Sequence, residues 1–172
     1  MNTLIIFDLD HTIIHSNYNN NILYIYVRPN FTELINYLKE NNYDIAFWSL
    51  GEVKYVNLIY DFLKKNYLVD INPLFVLSKI PELNSYTDIL SDIKINSHTN
   101  GYELVKNVNT LLSYYSIDIN KTILVDDLIS NININNKNNV YYIKKWFSTM
   151  IWDTELNNFK NLLVNLRIYT NY

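Results

Sequence analysis

The sequence predicts an α/β fold, with a central parallel sheet carrying helices on both faces. Three observations carry that expectation. Short apolar, β-rich runs alternate along the chain with stretches whose apolar residues recur at helical spacing. Two of those runs, "TLIIF" and "KTILV", lead directly into paired aspartates. No repeat and no Pro/Gly-rich boundary divides the 172 residues, so one domain spanning 1–172 is expected.

Taken in order, "TLIIF" (Thr3–Phe7) reads as a fully buried central strand. "ILYIYV" (Ile22–Val27) is a second strand, closed by Arg28-Pro29. Asn30 to Asn41 sets Phe31, Leu34, Ile35 and Leu38 on one helical face, with Asn30 as cap. "YDIAFWS" (Tyr43–Ser49) is another buried strand. A long helix from Glu52 to Tyr67 follows, turning Val53, Val56, Ile59, Tyr60 and Leu63 inward. "PLFVL" (Pro73–Leu77) reads as a fourth strand. Lys79 to Asn100 shows no clear period. Leu104 to Tyr115 reads as a helix, Lys121–Asp127 as a strand ending in carboxylates, and Val140–Ile143 as a short strand. Asp153 caps a last helix, "TELNNFKNLLVNL".

Composition narrows the function. Hydrophobic residues make up 49% and charged residues 18%, a globular balance. A net charge of -3, without a basic stripe, disfavours nucleic acid as the main partner. With no cysteine, thiolate metal sites and thiol nucleophiles are excluded. No apolar run is long enough for a membrane span and no signal-peptide pattern stands at the start, so a soluble intracellular protein is expected. Asn, Ile, Tyr and Lys are abundant, whereas there are 2 Gly and 3 Pro. An AT-rich genome, as in a large DNA virus or an intracellular parasite, explains this bias better than function does. The stretches "NYNNN" and "NININNKNN" accordingly read as polar loops.

Chemistry gathers at the strand ends, where open α/β sheets build their sites. Asp8 and Asp10 follow the first strand, Ser49 a later one, and Asp126 and Asp127 the strand at Lys121. Four converging carboxylates repel one another unless a cation joins them. Mg²⁺, a hard ion that takes carboxylate oxygens together with substrate phosphate, meets that need. A carboxylate beside it can attack phosphorus, and a second one two residues on can protonate the leaving alkoxide. Ser49 and Lys106 are the candidate hydroxyl and cation for the phosphate oxygens.

"DLDHTIIHS" resembles the D-x-D-x-T motif of the haloacid dehalogenase superfamily, in the form found in small phosphatases acting on the C-terminal domain of RNA polymerase II. "VRPNFTELINYL", "AFWSLGEVKYVNLIYDFL", "GYELVKNV", "TILVDDLISN" and "VYYIKKWFSTMIWDTELNNF" resemble further segments of that family in the same order, over nearly the whole chain. The resemblance implies a three-layer Rossmann-like sandwich without a large cap domain. It further implies Asp8 as nucleophile and Asp10 as general acid/base, with the Asp10 backbone carbonyl on Mg²⁺. Thr12 then braces the loop on the phosphate side, and Ser49 and Lys106 hold phosphate. Asp126 and Asp127 hold the metal directly or through water; which of them touches it stays open, because the family varies between Asp and Asn at Asp127.

The implied activity is a Mg²⁺-dependent protein serine/threonine phosphatase, with a phosphoprotein such as the polymerase tail as substrate. A small-molecule or nucleic-acid-end phosphatase and a silent phosphopeptide-binding adaptor are the competing readings. The stretch between the first motif and "RP" is shorter than the family's, and His98 lies eight residues before Lys106, further than in the family. His11 is expected to face solvent or the leaving group, and His15 and His98 to be structural. Arg28 reads equally as a substrate ligand or as a capping or surface charge. Trp48 belongs in the core, while Trp146 and Trp152 line the cleft or pack the last helix.

Overall fold

The computed structural model describes residues 2–68, 70–79, 91–96, 101–115 and 117–170. In chain order its elements are β1 (Leu4–Phe7), β2 (Ile14–Asn19), β3 (Ile22–Val27), α1 (Phe31–Glu40), β4 (Asp44–Glu52), α2 (Val53–Asn66) and β5 (Val76–Lys79). They continue with β6 (Ser91–Asn96), β7 (Gly101–Lys106), α3 (Val108–Tyr115), β8 (Thr122–Asp126), α4 (Ile129–Ile134), β9 (Val140–Tyr142) and α5 (Glu155–Thr170).

Five strands form one sheet in the order β5-β4-β1-β8-β9, and every pairing in it is parallel. All four residues of β1 are buried, which is why the run lacks alternation: it has no solvent face. Successive side chains point to opposite faces. Ile5, Phe7, Ile45, Phe47 and Val125 pack against α1, α2 and α5 through Leu34, Ile59 and Phe159. Leu4, Ile6, Ala46, Trp48 and Leu124 pack the other way, against Val108 and Leu111 of α3. Each such burial stabilises by roughly 1.5–3 kcal/mol. The result is the expected three-layer sandwich, and Trp48 is in its core.

Register brings the site together. Phe7 pairs with Phe47 on one side and with Val125 on the other, so Asp8, Ser49 and Asp126 emerge at the same edge. Among the described residues the additions to the sandwich are two antiparallel pairs, β2–β3 and β6–β7, and no large cap.

Several local expectations are corrected. "NYNNN" is not merely a loop: Asn17–Asn19 complete β2, and Asn20 and Asn21 (φ 50° and 61°) turn the chain into β3, a left-handed pair that asparagine tolerates. Asn30 stands at the start of α1 but makes no side-chain cap; its amide donates to the Asp153 carbonyl instead, at 3.3 Å. Val53 is exposed, and the inward stripe of α2 begins at Val56. β5 starts at Val76 rather than Pro73, which has no N–H to give a neighbouring strand. Leu104 and Val105 lie on β7, paired with β6, and the helix begins only at Val108. Strand pairing overrides a helix-like pattern there. Of the unassigned stretch, Ser91–Asn96 forms β6, while 80–90 and 97–100, with His98, lie outside the described residues. Among the described residues no helix is long and apolar enough to cross a membrane.

Candidate active site

At the carboxyl edge of the sheet, the Asp8 N–H donates to the Val125 carbonyl at 3.0 Å, which carries the β1–β8 ladder one residue past the strand. The chain then folds on itself, with Ile13 and Ile14 N–H both donating to the Leu9 carbonyl at 3.0 Å and His11 in the left-handed region (φ 63°). This tight turn holds Asp8, Asp10 and Thr12 at the end of a central strand.

Asp8, Asp126 and Asp127 are buried, and one oxygen of each lies within 4.8 Å of the others. The Lys106 ammonium, itself buried, donates to Asp8 Oδ1 and, at 2.8 Å, to Asp126 Oδ2. Burial pushes the Asp8 carboxyl up, Lys106 opposes this, and Asp126 and Asp127 add to it, leaving it at about 7. Burial pulls Lys106 down, but Asp126 and Asp8 outweigh it and hold the ammonium above its ordinary value. Asp127 is raised, first by burial and then by Asp126. One ammonium against three carboxylates leaves negative charge over, and three oxygen donors this close suit a hard divalent cation.

A family model described as NLI interacting factor-like phosphatase matches residues 3–171. The chain belongs to that family. No curated protein matches it in sequence. Among solved structures it resembles the fission yeast RNA polymerase II CTD phosphatase Fcp1, an arginine-to-alanine variant bound to beryllium fluoride. That match has a TM-score of 0.53 at 15% identity, over 84% of this chain and 42% of the other. It also resembles a structure of Fcp1 described as an essential RNA polymerase II CTD phosphatase, with a TM-score of 0.53 at 15% identity, over 96% and 50%. At this identity the likeness is one of fold, and the chain spans half or less of those proteins.

In this family member the remaining predicted residues divide. The Thr12 hydroxyl is buried and donates to Asp127 Oδ1 at 3.1 Å, so it braces the motif loop against β8. Ser49 is buried in β4 just past Trp48, where the pairing with β5 shifts register, and its Oγ accepts the Gly51 N–H at 3.0 Å. Asp10 stands outside the carboxylate trio and accepts a hydrogen bond from the Tyr55 phenol on the first turn of α2. Burial and that bond raise Tyr55 well above its ordinary value, so it remains a donor, and the Ser16 hydroxyl lies 2.7 Å from it. Tyr55 stands in the quoted "AFWSLGEVKY" segment, but its spacing alone carries no sign of the contact with Asp10.

Arg28 is structural. Its five N–H donors are all used: two on Asp153 (2.7 and 2.9 Å), and one each on the carbonyls of Thr12 (2.9 Å), His11 (3.3 Å) and Lys144 (2.8 Å). It ties the motif loop to the segment before α5. His11 Nδ1 faces the Trp146 carbonyl at 3.0 Å and so carries the proton; His15 Nδ1 accepts the Ser148 N–H at 3.0 Å, a structural histidine as expected. Trp146 is buried, with its indole N–H on the Met150 carbonyl, whereas Trp152 is 89% exposed. A cleft of about 570 Å³ opens at the opposite edge of the sheet, beside Thr3, Tyr43 and Thr122. None of the converging carboxylates lies there, and the chemistry places the site at the other edge.

The helix α4 is a further departure from the sequence-based expectation. "NININNKNN" is not a polar loop: Asn131, Asn135 and Asn139 are buried and bonded to backbone. Their spacing of four was the available signal, masked by an asparagine-rich composition.

Proposed function

We propose that the chain is a Mg²⁺-dependent phosphatase that hydrolyses phosphoserine or phosphothreonine on proteins inside the cell, with residues 1–172 acting as one catalytic unit. The observation that carries the reading is the buried trio Asp8, Asp126 and Asp127 with the Lys106 ammonium paired to Asp8 and Asp126. Asp8, Asp126, Asp127 and the Asp10 carbonyl would hold the ion, which supplies neutralising charge for the incoming phosphate.

Asp8 attacks phosphorus, the bond to the ester oxygen breaks, and Asp10 gives that oxygen its proton. Asp10 then takes a proton from water as the water oxygen attacks the phosphoryl group on Asp8. Inorganic phosphate leaves, and both carboxyl groups return to their starting states. Lys106 and the Ser49 hydroxyl hold the equatorial oxygens, where charge is spread in the transition state. Thr12 braces the loop, and Tyr55 holds Asp10.

A site with no large cap among the described residues suits a phosphate presented on a peptide. So does a run of rings beside the motif loop, with Tyr26, His15, Phe147 and His11 following one another at 4.8–6.2 Å between centroids. Because the similar solved structures are named as polymerase-tail phosphatases, tail phosphopeptides are the first substrates to try. The test is turnover of an aryl phosphate, a phosphopeptide panel, nucleotides and 3′-phosphate DNA, each with Mg²⁺, with EDTA and with Asp8→Asn. Phosphopeptide turnover lost with EDTA and with the substitution supports the reading. Preference for nucleotides or DNA ends would move it to the small-molecule or nucleic-acid-end alternative. Peptide binding without any turnover would favour the adaptor.

A further inference from the structure

We propose that Asn131 and Asn135 form a bracket that sets where the Lys106 ammonium sits and joins it mechanically to Asp126 and Asp127; this rests on the phosphatase reading above.

Lys106 reaches the site from outside the central sheet. It is the last residue of β7, whose partner is β6, and that pair is separate from the five-stranded sheet that carries Asp8 and Asp126. A lysine side chain has reach, but four flexible methylenes give it little positional precision. Its backbone must therefore be fixed by something other than the sheet.

That fixture is α4. The Lys106 N–H donates to Asn131 Oδ1 at 2.7 Å, and the Lys106 carbonyl accepts from Asn135 Nδ2 at 2.7 Å. Asn135 Oδ1 takes the next free donor, the Val108 N–H, at 2.8 Å, and Asn135 Nδ2 also donates to the Asn131 carbonyl at 2.6 Å. An amide offers an acceptor and donors in one plane, and Asn135, the C-cap of α4, stands four residues after Asn131, one turn along the helix. Two asparagines at that spacing can thus hold both polar groups of one backbone residue.

The same short segment carries the carboxylates. Asp126 and Asp127 precede α4 directly, and Asp126 Oδ1 accepts the Leu128 N–H at 2.8 Å. Carboxylates, turn and bracket therefore form one unit, and the ammonium is held from both ends, by its backbone and by its ion pairs. Stability alone is a poor account of Asn131. Its orientation is dictated by the Lys106 N–H, and its buried Nδ2 then has no partner among the described residues, which costs stability.

Asn139 provides an internal control. It is buried like the other two and its amide donates to the Thr122 carbonyl at 3.0 Å, but it makes no bond to Lys106. The experiment is Mg²⁺-dependent aryl phosphate kinetics, with melting temperatures, for wild type, Asn135→Ala, Asn139→Ala, Lys106→Met and the Asn135→Ala/Lys106→Met pair. Asn135→Ala should lower kcat by roughly tenfold to a hundredfold, as misplacement of a positioned group does. Asn139→Ala should lower the melting temperature comparably while kcat stays within about twofold of wild type. In the Lys106→Met background Asn135→Ala should cost no more than about a further twofold in kcat, because nothing is left to position. Equal kcat losses for Asn135→Ala and Asn139→Ala, or a full additive loss in the Lys106→Met background, would overturn the bracket while leaving the phosphatase reading intact. A wild type that hydrolyses no phosphate ester would overturn both. If Asn135→Ala does not fold, Asn135→Asp replaces it: it matches the shape but removes the donor to the Lys106 carbonyl, and the same outcomes apply.

Discussion

The carboxylates and the lysine of the candidate site arrive by different routes. Asp8 follows β1 and Asp126 ends β8, adjacent central strands whose register Phe7↔Val125 sets both carboxylates at one edge. Lys106 ends a strand with no pairing to that sheet, and it is held by side-chain amides from a six-residue helix and its C-cap residue. A parallel sheet positions strand ends through backbone bonds that many sequences can make. A side-chain bracket depends on particular residues at particular positions. The carboxylate half should therefore tolerate changes around it, whereas the lysine half should be sensitive to single substitutions outside the site.

The largest expected effect removes the nucleophile. Asp8→Asn should fold normally but lose turnover by on the order of 10⁴-fold or more, measured by steady-state kinetics with the fold checked by circular dichroism. Next comes the shared cation. Lys106→Met leaves Asp8 and Asp126 buried without their ammonium and should destabilise the metal-free protein by ~3–5 kcal/mol in urea titrations. Mg²⁺ should recover part of that loss, since it supplies charge to the same oxygens. A smaller effect follows from the ion itself: Mg²⁺ at a hundred times its dissociation constant should stabilise the wild type by about 2.7 kcal/mol. Calorimetry should find that gain abolished by EDTA and much reduced in Asp127→Asn. The smallest concerns Asp10. Tyr55→Phe removes a hydrogen bond to a carboxylate and should lower kcat by roughly tenfold, with KM little changed.

The same contrast explains what could be read from the sequence. The runs ahead of Asp8 and Asp126 were legible because a strand buried on both faces must be apolar throughout and must end where polar residues begin. That logic points to Asp8, Asp126 and Asp127, and the structure brings one oxygen of each within 4.8 Å of the others. Asp10 was expected among them, but its carboxylate lies aside on Tyr55, a partner on another element that no local pattern encodes. The lysine half is less legible. "YELV" fits strand or helix by propensity, and the pairing of β7 with β6 decided it. "NININNKNN" looked like solvent-facing polar sequence because asparagine is common throughout the chain. Its buried face shows only as a spacing of four between Asn131, Asn135 and Asn139. Arg28 was ambiguous for a related reason: an arginine beside a site looks the same in sequence whether its five donors face substrate or protein.

The most direct test of the account is to trap the proposed intermediate. The protein with Mg²⁺ would be mixed with an aryl phosphate, quenched within milliseconds, reduced with borohydride and sequenced by mass spectrometry. Asp8, and no other carboxylate, should be converted to homoserine in proportion to the phosphoryl group bound. Brisk turnover with no carboxylate modified, or with the modification at Asp10, Asp126 or Asp127, would contradict it.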